Sequence, residues 1–133
     1  MIMQIFDIED YWKVIVFYDV DYNLSGDVKD KMRRAGIEEG TIKGAFYMLE
    51  SGKVKAATCS NLEKHISVVL FNEHDTVEDY VNSIVHEAEH VKQAMLEVYD
   101  VDDMGEPPAY TIGYLVSCMY RVFKSLLCDY RRA

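Results

Sequence analysis

The 133-residue chain has few of the residues that mark several common classes of protein. Its three cysteines, Cys59, Cys118 and Cys128, are odd in number and show no CxxC spacing, which favours buried, reduced thiols over a disulfide framework. Residues 1–7 lack the basic segment and cleavage site of a signal peptide, and no apolar run is long enough to cross a bilayer. We therefore expect a cytoplasmic chain without a membrane partner.

Basic residues are also scarce. Fourteen Lys and Arg stand against 23 Asp and Glu, which gives a net charge of −9. Affinity for nucleic acid depends on clustered basic side chains, so a nucleic-acid partner is not expected. Half of the residues are apolar, and the length suits one globular domain over residues 1–133.

The first half of the chain is predicted to be mostly strands. A strand at 12–20 precedes a helix that begins at Ser25 and ends at Gly36. Strands at 41–49 and 54–59, joined by a turn at Ser51-Gly52, precede a further strand at 66–71.

The second half is predicted to be two helices. Asp75 or Thr76 can cap the first, whose apolar stripe continues to about Tyr99. Two prolines in the first turn begin the second, which continues to about Tyr130. Because that helix is apolar nearly all round, it is either a core helix or a surface for a second copy or a regulatory partner. The fold class is therefore α+β.

The pentapeptide His86-Glu87-Ala88-Glu89-His90 carries the most chemical information. Histidines four residues apart lie on one face of a helix, so both imidazoles can reach one metal ion. A glutamate after the first histidine stands beside that metal, where it can take a proton from a water. This arrangement predicts a Zn²⁺ site with His86 and His90 as ligands and Glu87 as general base.

A third ligand is needed, because catalytic zinc usually has three protein ligands and an open position. Glu106, sixteen residues after His90, is favoured because a position at a helix start fixes its direction. Asp102 and Asp103 are alternatives in the same connection.

These residues resemble the zincin metallopeptidases, and within them the gluzincin branch, whose third ligand is a downstream glutamate. The resemblance rests on HEAEH in a helix after a sheet, followed by GEPPAY at the start of another helix. It implies a zincin-like fold, in which a small mixed or antiparallel sheet packs on the HExxH helix and a long C-terminal helix follows. It makes His86, His90 and Glu106 the zinc ligands, and the segment 44–47 (GAFY) resembles the strand along which substrate lies.

The chain departs from that family after the Glu-bearing helix. In the family a far wall of the substrate cleft follows there, and in this chain none is expected. Tyr110, one turn beyond Glu106, can hydrogen-bond a ligand or the substrate oxyanion, or can simply pack. His65 and His74 are weaker candidates for stabilising an intermediate. The expected function is zinc-dependent hydrolysis of a peptide bond in a specific protein or peptide. The alternative is a non-catalytic zincin-like protein that binds metal or a partner.

Overall fold

A computed structural model describes residues 1–100 and 104–127. The chain divides after Glu73 into two compact units. Within the described residues the fold is α+β, with a four-stranded mixed sheet in the first unit and four α-helices shared equally between the two units. The predicted α+β class is confirmed at this level, whereas a single domain over 1–133 stays a prediction.

The sheet has the order β1-β2-β4-β3. Its strands are β1 (Ile2–Ile8), β2 (Trp12–Tyr18), β3 (Ala56–Asn61) and β4 (Ile66–Phe71). β2 and β4 are parallel, with Ile15 opposite Val68, and the two outer pairs are antiparallel. The strands predicted at 12–20 and 66–71 are confirmed, with β2 two residues shorter, while β1 was not predicted.

Two helices complete the first unit: α1 (Ser25–Arg34) and α2 (Glu39–Glu50). Their apolar sides share one core with one face of the sheet. That core includes Val28 and Met32 from α1, Ile42, Phe46 and Leu49 from α2, and Phe17, Val68 and Leu70 from the strands. The opposite face of the sheet is also buried and mainly apolar: Val14, Val16 and Val69 are 0% exposed, and at its edge the Trp12 indole N–H donates to Ser67 Oγ at 2.9 Å.

The predicted strand at 41–49 is wrong, and with it the substrate strand predicted at 44–47. Both segments belong to helix α2. Ile42, Phe46 and Leu49 are spaced by four and three residues, so they share one face of a helix and are all buried. The β-branched and aromatic content of the segment suggested a strand, but Tyr47 on the other side is 65% exposed.

Glycines end both of these helices by the same arrangement of hydrogen bonds. Gly36 has φ +83° and donates to Arg33 O, while Ile37 donates to Met32 O. Gly52 has φ +75° and donates to Leu49 O, while Lys53 donates to Met48 O. These pairs are Schellman motifs, which need a left-handed residue that glycine adopts without strain. The predicted stop at Gly36 is confirmed, whereas Ser51-Gly52 ends a helix and does not join two strands.

The second unit contains α3 (Val77–Tyr99), α4 (Glu106–Phe123) and a 3₁₀ turn at Lys124–Leu126. α3 and α4 pack against each other, and the ring centroids of Tyr80 and Phe123 are 4.5 Å apart. Both predicted helices are confirmed, although the predicted end near Tyr130 lies outside the described residues. None of the described helices combines the length and the apolar character needed to cross a membrane.

Candidate metal centre

The HExxH motif lies in the middle of α3, as predicted. Thr76 caps this helix by accepting a hydrogen bond from the Asp79 backbone N–H at 3.1 Å. Glu78 and Asp79 place negative charge in the first turn, where the helix dipole favours it. Asp100 ends the helix in the left-handed conformation, with φ +52°. The motif therefore has more than two helical turns on either side.

His86 and His90 lie one turn apart with their rings side by side. Their Nε2 atoms are 3.2 Å apart, and their ring centroids are 4.9 Å apart at an interplanar angle of 75°. Both side chains are exposed, that of His86 by 66%. The two nitrogens therefore converge on one point outside the helix that solutes can reach.

That separation suits a shared metal ion. Two imidazole nitrogens bound to one tetrahedral zinc, each at about 2.05 Å, lie about 3.3 Å apart. The observed 3.2 Å differs from this value by about a tenth of an ångström. An N–H···N hydrogen bond between the rings is compatible with the same distance, so the geometry permits metal binding without requiring it.

Glu87 differs from its neighbours in exposure. Its Oε2 lies 4.0 Å from His86 Nε2, and its side chain is 6% exposed. The helix therefore presents two accessible ligands and, next to them, a carboxylate that is shielded from solvent. A general base in such a position exchanges protons with a water in the site and not with bulk solvent.

Glu106 is the first residue of α4 and is exposed. The tilted rings of Tyr80, near the start of α3, and Phe123, at the end of α4, are in contact, so the two helices are antiparallel and this contact sets their register. Along α4, Glu106 lies about 26 Å from Phe123. Along α3, His90 lies only about 15 Å from Tyr80 in the same direction. Glu106 therefore lies about 10 Å beyond the level of His90 along the pair.

Accordingly, the structure brings His86, His90 and Glu87 together but does not add Glu106 to them. Within residues 1–100 and 104–127, no three or more His, Cys, Asp or Glu side chains form a group that could hold a metal ion. Tyr110 follows Glu106 by one turn and is 72% exposed. Asp102 and Asp103, the alternative ligands, lie outside the described residues.

The other two histidines have structural partners. His74 is buried, with Nε2 2.7 Å from Ser83 Oγ and its ring centroid 4.3 Å from that of Tyr80. His65 lies between β3 and β4 in the first unit, with φ +57° and its ring stacked on Trp12 at 5.3 Å. Each of these contacts accounts for the histidine without a catalytic role.

Lys92 is a feature that the sequence patterns did not reveal. It is buried on α3, and its Nζ lies 2.9 Å from Glu89 Oε1. Glu89, whose side chain is 39% exposed, holds this ammonium group from the adjacent turn of the same helix. The pattern that could have indicated the burial of Lys92 is its position four residues after Ala88, inside the apolar stripe of the helix.

The chain was compared with models of protein families, with curated proteins and with solved structures, and none of them matches it.

Proposed function

We propose that the chain is a zincin-like, zinc-dependent peptidase in which His86 and His90 are ligands and Glu87 is the general base. The observation that carries the proposal is the 3.2 Å separation of the two exposed Nε2 atoms beside the 6% exposed Glu87 carboxylate. Imidazole and carboxylate donors suit zinc, and the histidine separation fits its tetrahedral geometry.

Glu106 stays the favoured third ligand, with Asp102 and Asp103 as rivals. Because of the axial offset of about 10 Å, Glu106 can act only if the first turn of α4 moves towards His90. Gly105, with φ +90°, directly precedes that turn. A zinc ion has a higher affinity for three protein ligands than for two, which would favour such a movement.

A bound zinc ion would supply a Lewis acid and lower the pKa of a water towards about 7. Glu87 would accept the proton of that water as it attacks the peptide carbonyl, and would return the proton to the leaving amine. His86 and His90 would hold the zinc ion in place. The phenol of Tyr110, if brought in with Glu106, would donate a hydrogen bond to the developing oxyanion.

A second candidate function is binding of metal or of a protein partner without turnover. Two observations favour it: in the described residues the histidine pair has no third ligand, and α4 has an exposed, uncharged side. The buried Glu87 favours the peptidase, because a purely structural metal site has no use for a shielded base.

Measurement of the bound zinc tests whether the HExxH motif binds metal or occurs by chance. The native chain, purified without a histidine tag, would be loaded with zinc and analysed by elemental mass spectrometry beside His90→Ala and Glu106→Gln. About one zinc per chain, lost in His90→Ala and weakened in Glu106→Gln, supports the three-ligand site. A native chain that takes up no zinc from excess metal would refute it.

Turnover then separates the two functions. Zinc-loaded native chain would be incubated with a mixed peptide library, with Glu87→Gln as the inactive control. Cleavage by the native chain but not by Glu87→Gln supports the peptidase. Zinc binding without cleavage by either protein supports the second candidate. Broad digestion of unfolded casein would contradict action on one specific protein.

A further inference from the structure

One side of α4 has no charged residue along four turns. We call it the outer face of α4, and it consists of the exposed residues Ala109, Tyr110, Gly113, Tyr114, Ser117 and Tyr120. No charged residue occurs between Glu106 and Arg121, although 28% of the chain is charged. The exposed sides of α1, α2 and α3 all carry Lys, Arg, Asp or Glu. Exposed helix faces are normally polar, and exposed aromatic patches commonly mark interaction surfaces.

Charges of opposite sign lie at the two ends of this face. Glu106 begins α4, and the exposed Asp100 precedes it, while the exposed Arg121 and Lys124 are at the other end. The midpoint between Glu106 and Arg121 falls between Gly113 and Tyr114. If a second copy of α4 lies antiparallel across this midpoint, each acidic end meets a basic end, and the helix dipoles are also opposed.

The centre of the face allows close approach. Gly113 is exposed, and a Cβ added there meets no atom within 4 Å. Ala109 and Ser117, which are also small, lie one turn to either side. A glycine inside an exposed helix costs about 1 kcal/mol relative to alanine, and no contact among residues 1–100 and 104–127 requires it. Close packing of a second helix backbone would use the missing side chain.

We propose that the outer face of α4 binds a second copy of this chain, as a twofold antiparallel helix pair centred between Gly113 and Tyr114. The net charge of −9 disfavours association through most of the surface, whereas this face is uncharged in its middle and self-complementary at its ends. Tyr114 and Tyr120, which are 47% and 44% exposed, become buried in the pair. The outer face of α4 shares Tyr110, and its acidic end Glu106, with the proposed metal site, but the helix pair needs no bound metal.

Sedimentation equilibrium over a concentration series tests the pair. The native chain is expected to dimerise, and Tyr114→Glu is expected to weaken dimerisation at least about tenfold, because it buries a charge at the centre. Tyr47→Glu on α2, where the native tyrosine is 65% exposed, is the matched control and should dimerise like the native chain. Arg121→Glu places like charges together and should also weaken the pair, with circular dichroism confirming that each variant is folded.

Cross-linking tests the orientation. Position 113 lies beside the twofold axis of the antiparallel pair, whereas position 121 lies about 11 Å from it along the helix. Gly113→Cys should therefore form an intermolecular disulfide on mild oxidation, and Arg121→Cys should not. Cross-linking of both would indicate a parallel pair and overturn the proposal. A native chain that is monomeric throughout, or a Tyr114→Glu variant as dimeric as the native chain, would overturn it as well.

Discussion

Glu87 lies with its Oε2 4.0 Å from His86 Nε2, yet the two side chains differ tenfold in exposure, at 6% and 66%. Adjacent residues on a helix point about 100° apart, which here is enough to separate a shielded carboxylate from an accessible imidazole. The same turn of helix thus exposes an imidazole to solution and shields a carboxylate from it.

This difference in exposure predicts that glutamine substitutions at buried and exposed glutamates of α3 have different effects on activity. Glu87→Gln should lower kcat by about 10²–10⁴-fold, because the amide cannot take a proton, while the zinc content stays unchanged. Glu97→Gln, an exposed position on the same helix, is the matched control and should keep native activity. Peptide cleavage and bound zinc would be measured on the same preparations. Full activity in Glu87→Gln would remove it from the mechanism.

Zinc binding should be visible without any substrate. Zinc at a hundred times its dissociation constant should stabilise the native fold by about 2.7 kcal/mol and raise its Tm, whereas Mg²⁺, which prefers oxygen ligands, should not. His90→Ala should lose the zinc effect. The thermal shift would be measured by calorimetry.

The movement of Glu106 can be followed by hydrogen exchange. If Glu106 joins the histidines, zinc should slow amide exchange in residues 96–110 as well as around residues 86–90. Glu106→Gln should confine the protection to the histidine turn. Protection confined to that turn in the native chain would exclude Glu106 as a ligand.

Gly36 should tolerate alanine less well than Gly52 does. Both have positive φ, which costs a non-glycine residue about 1–2 kcal/mol. A Cβ at Gly36 would also lie 2.5 Å from Asn61 Nδ2, the atom that donates to Gly36 O at 2.8 Å, whereas nothing lies near Gly52. We expect a loss of about 1–2 kcal/mol for Gly52→Ala and about 2–4 kcal/mol for Gly36→Ala, measured by urea unfolding. Equal losses would show that Asn61 moves aside freely.

Tyr22 should make stability depend on alkaline pH. Burial raises the pKa of its phenol, which donates a hydrogen bond to Asn72 Oδ1, above the ordinary 10.0, and the negative charge of Glu50 raises that pKa further. Above about pH 10 the native state therefore keeps a proton that the unfolded chain has lost, so the free energy of unfolding falls as pH rises through the folded pKa. Urea unfolding from about pH 9 to about pH 11 should show a shallower decline in Tyr22→Phe. An identical slope in the two proteins would contradict the assignment.

Residues with local partners were predicted well. Thr76 caps α3 by accepting a hydrogen bond from the residue three positions on, Gly36 ends α1 through bonds to its own last turn, and the buried stripe of α3 continues to Met95, one turn short of the predicted Tyr99. Such features depend on neighbours in sequence, so a pattern is sufficient to find them. The β1 strand was not predicted, because apolar residues occur on both of its faces and the alternation of apolar and polar residues is therefore weak. Met3 and Ile5 lie on its outer face and are exposed.

Features that depend on distant partners were harder to predict. The buried Lys92 is explained by Glu89 and by the packing of α3, and the offset of Glu106 follows from the contact of Tyr80 with Phe123. The motif predicted the proximity of His86 and His90, because helix geometry alone sets it. The third ligand depends on the register of two helices, which no local pattern encodes.

The parallel pairing of β2 with β4 has a consequence for how the chain folds. Lys13 pairs with Ile66, so more than fifty residues, including α1, α2 and β3, lie within the loop that this pairing closes. The β1–β2 hairpin can form as soon as it is synthesised, but the apolar side of β2 then waits for β4 to emerge. During that interval the hairpin presents an unpaired, apolar edge, which is the state in which nascent chains aggregate or recruit chaperones. We therefore expect closure of this long loop to limit the folding of the first unit, because helices form within about a microsecond.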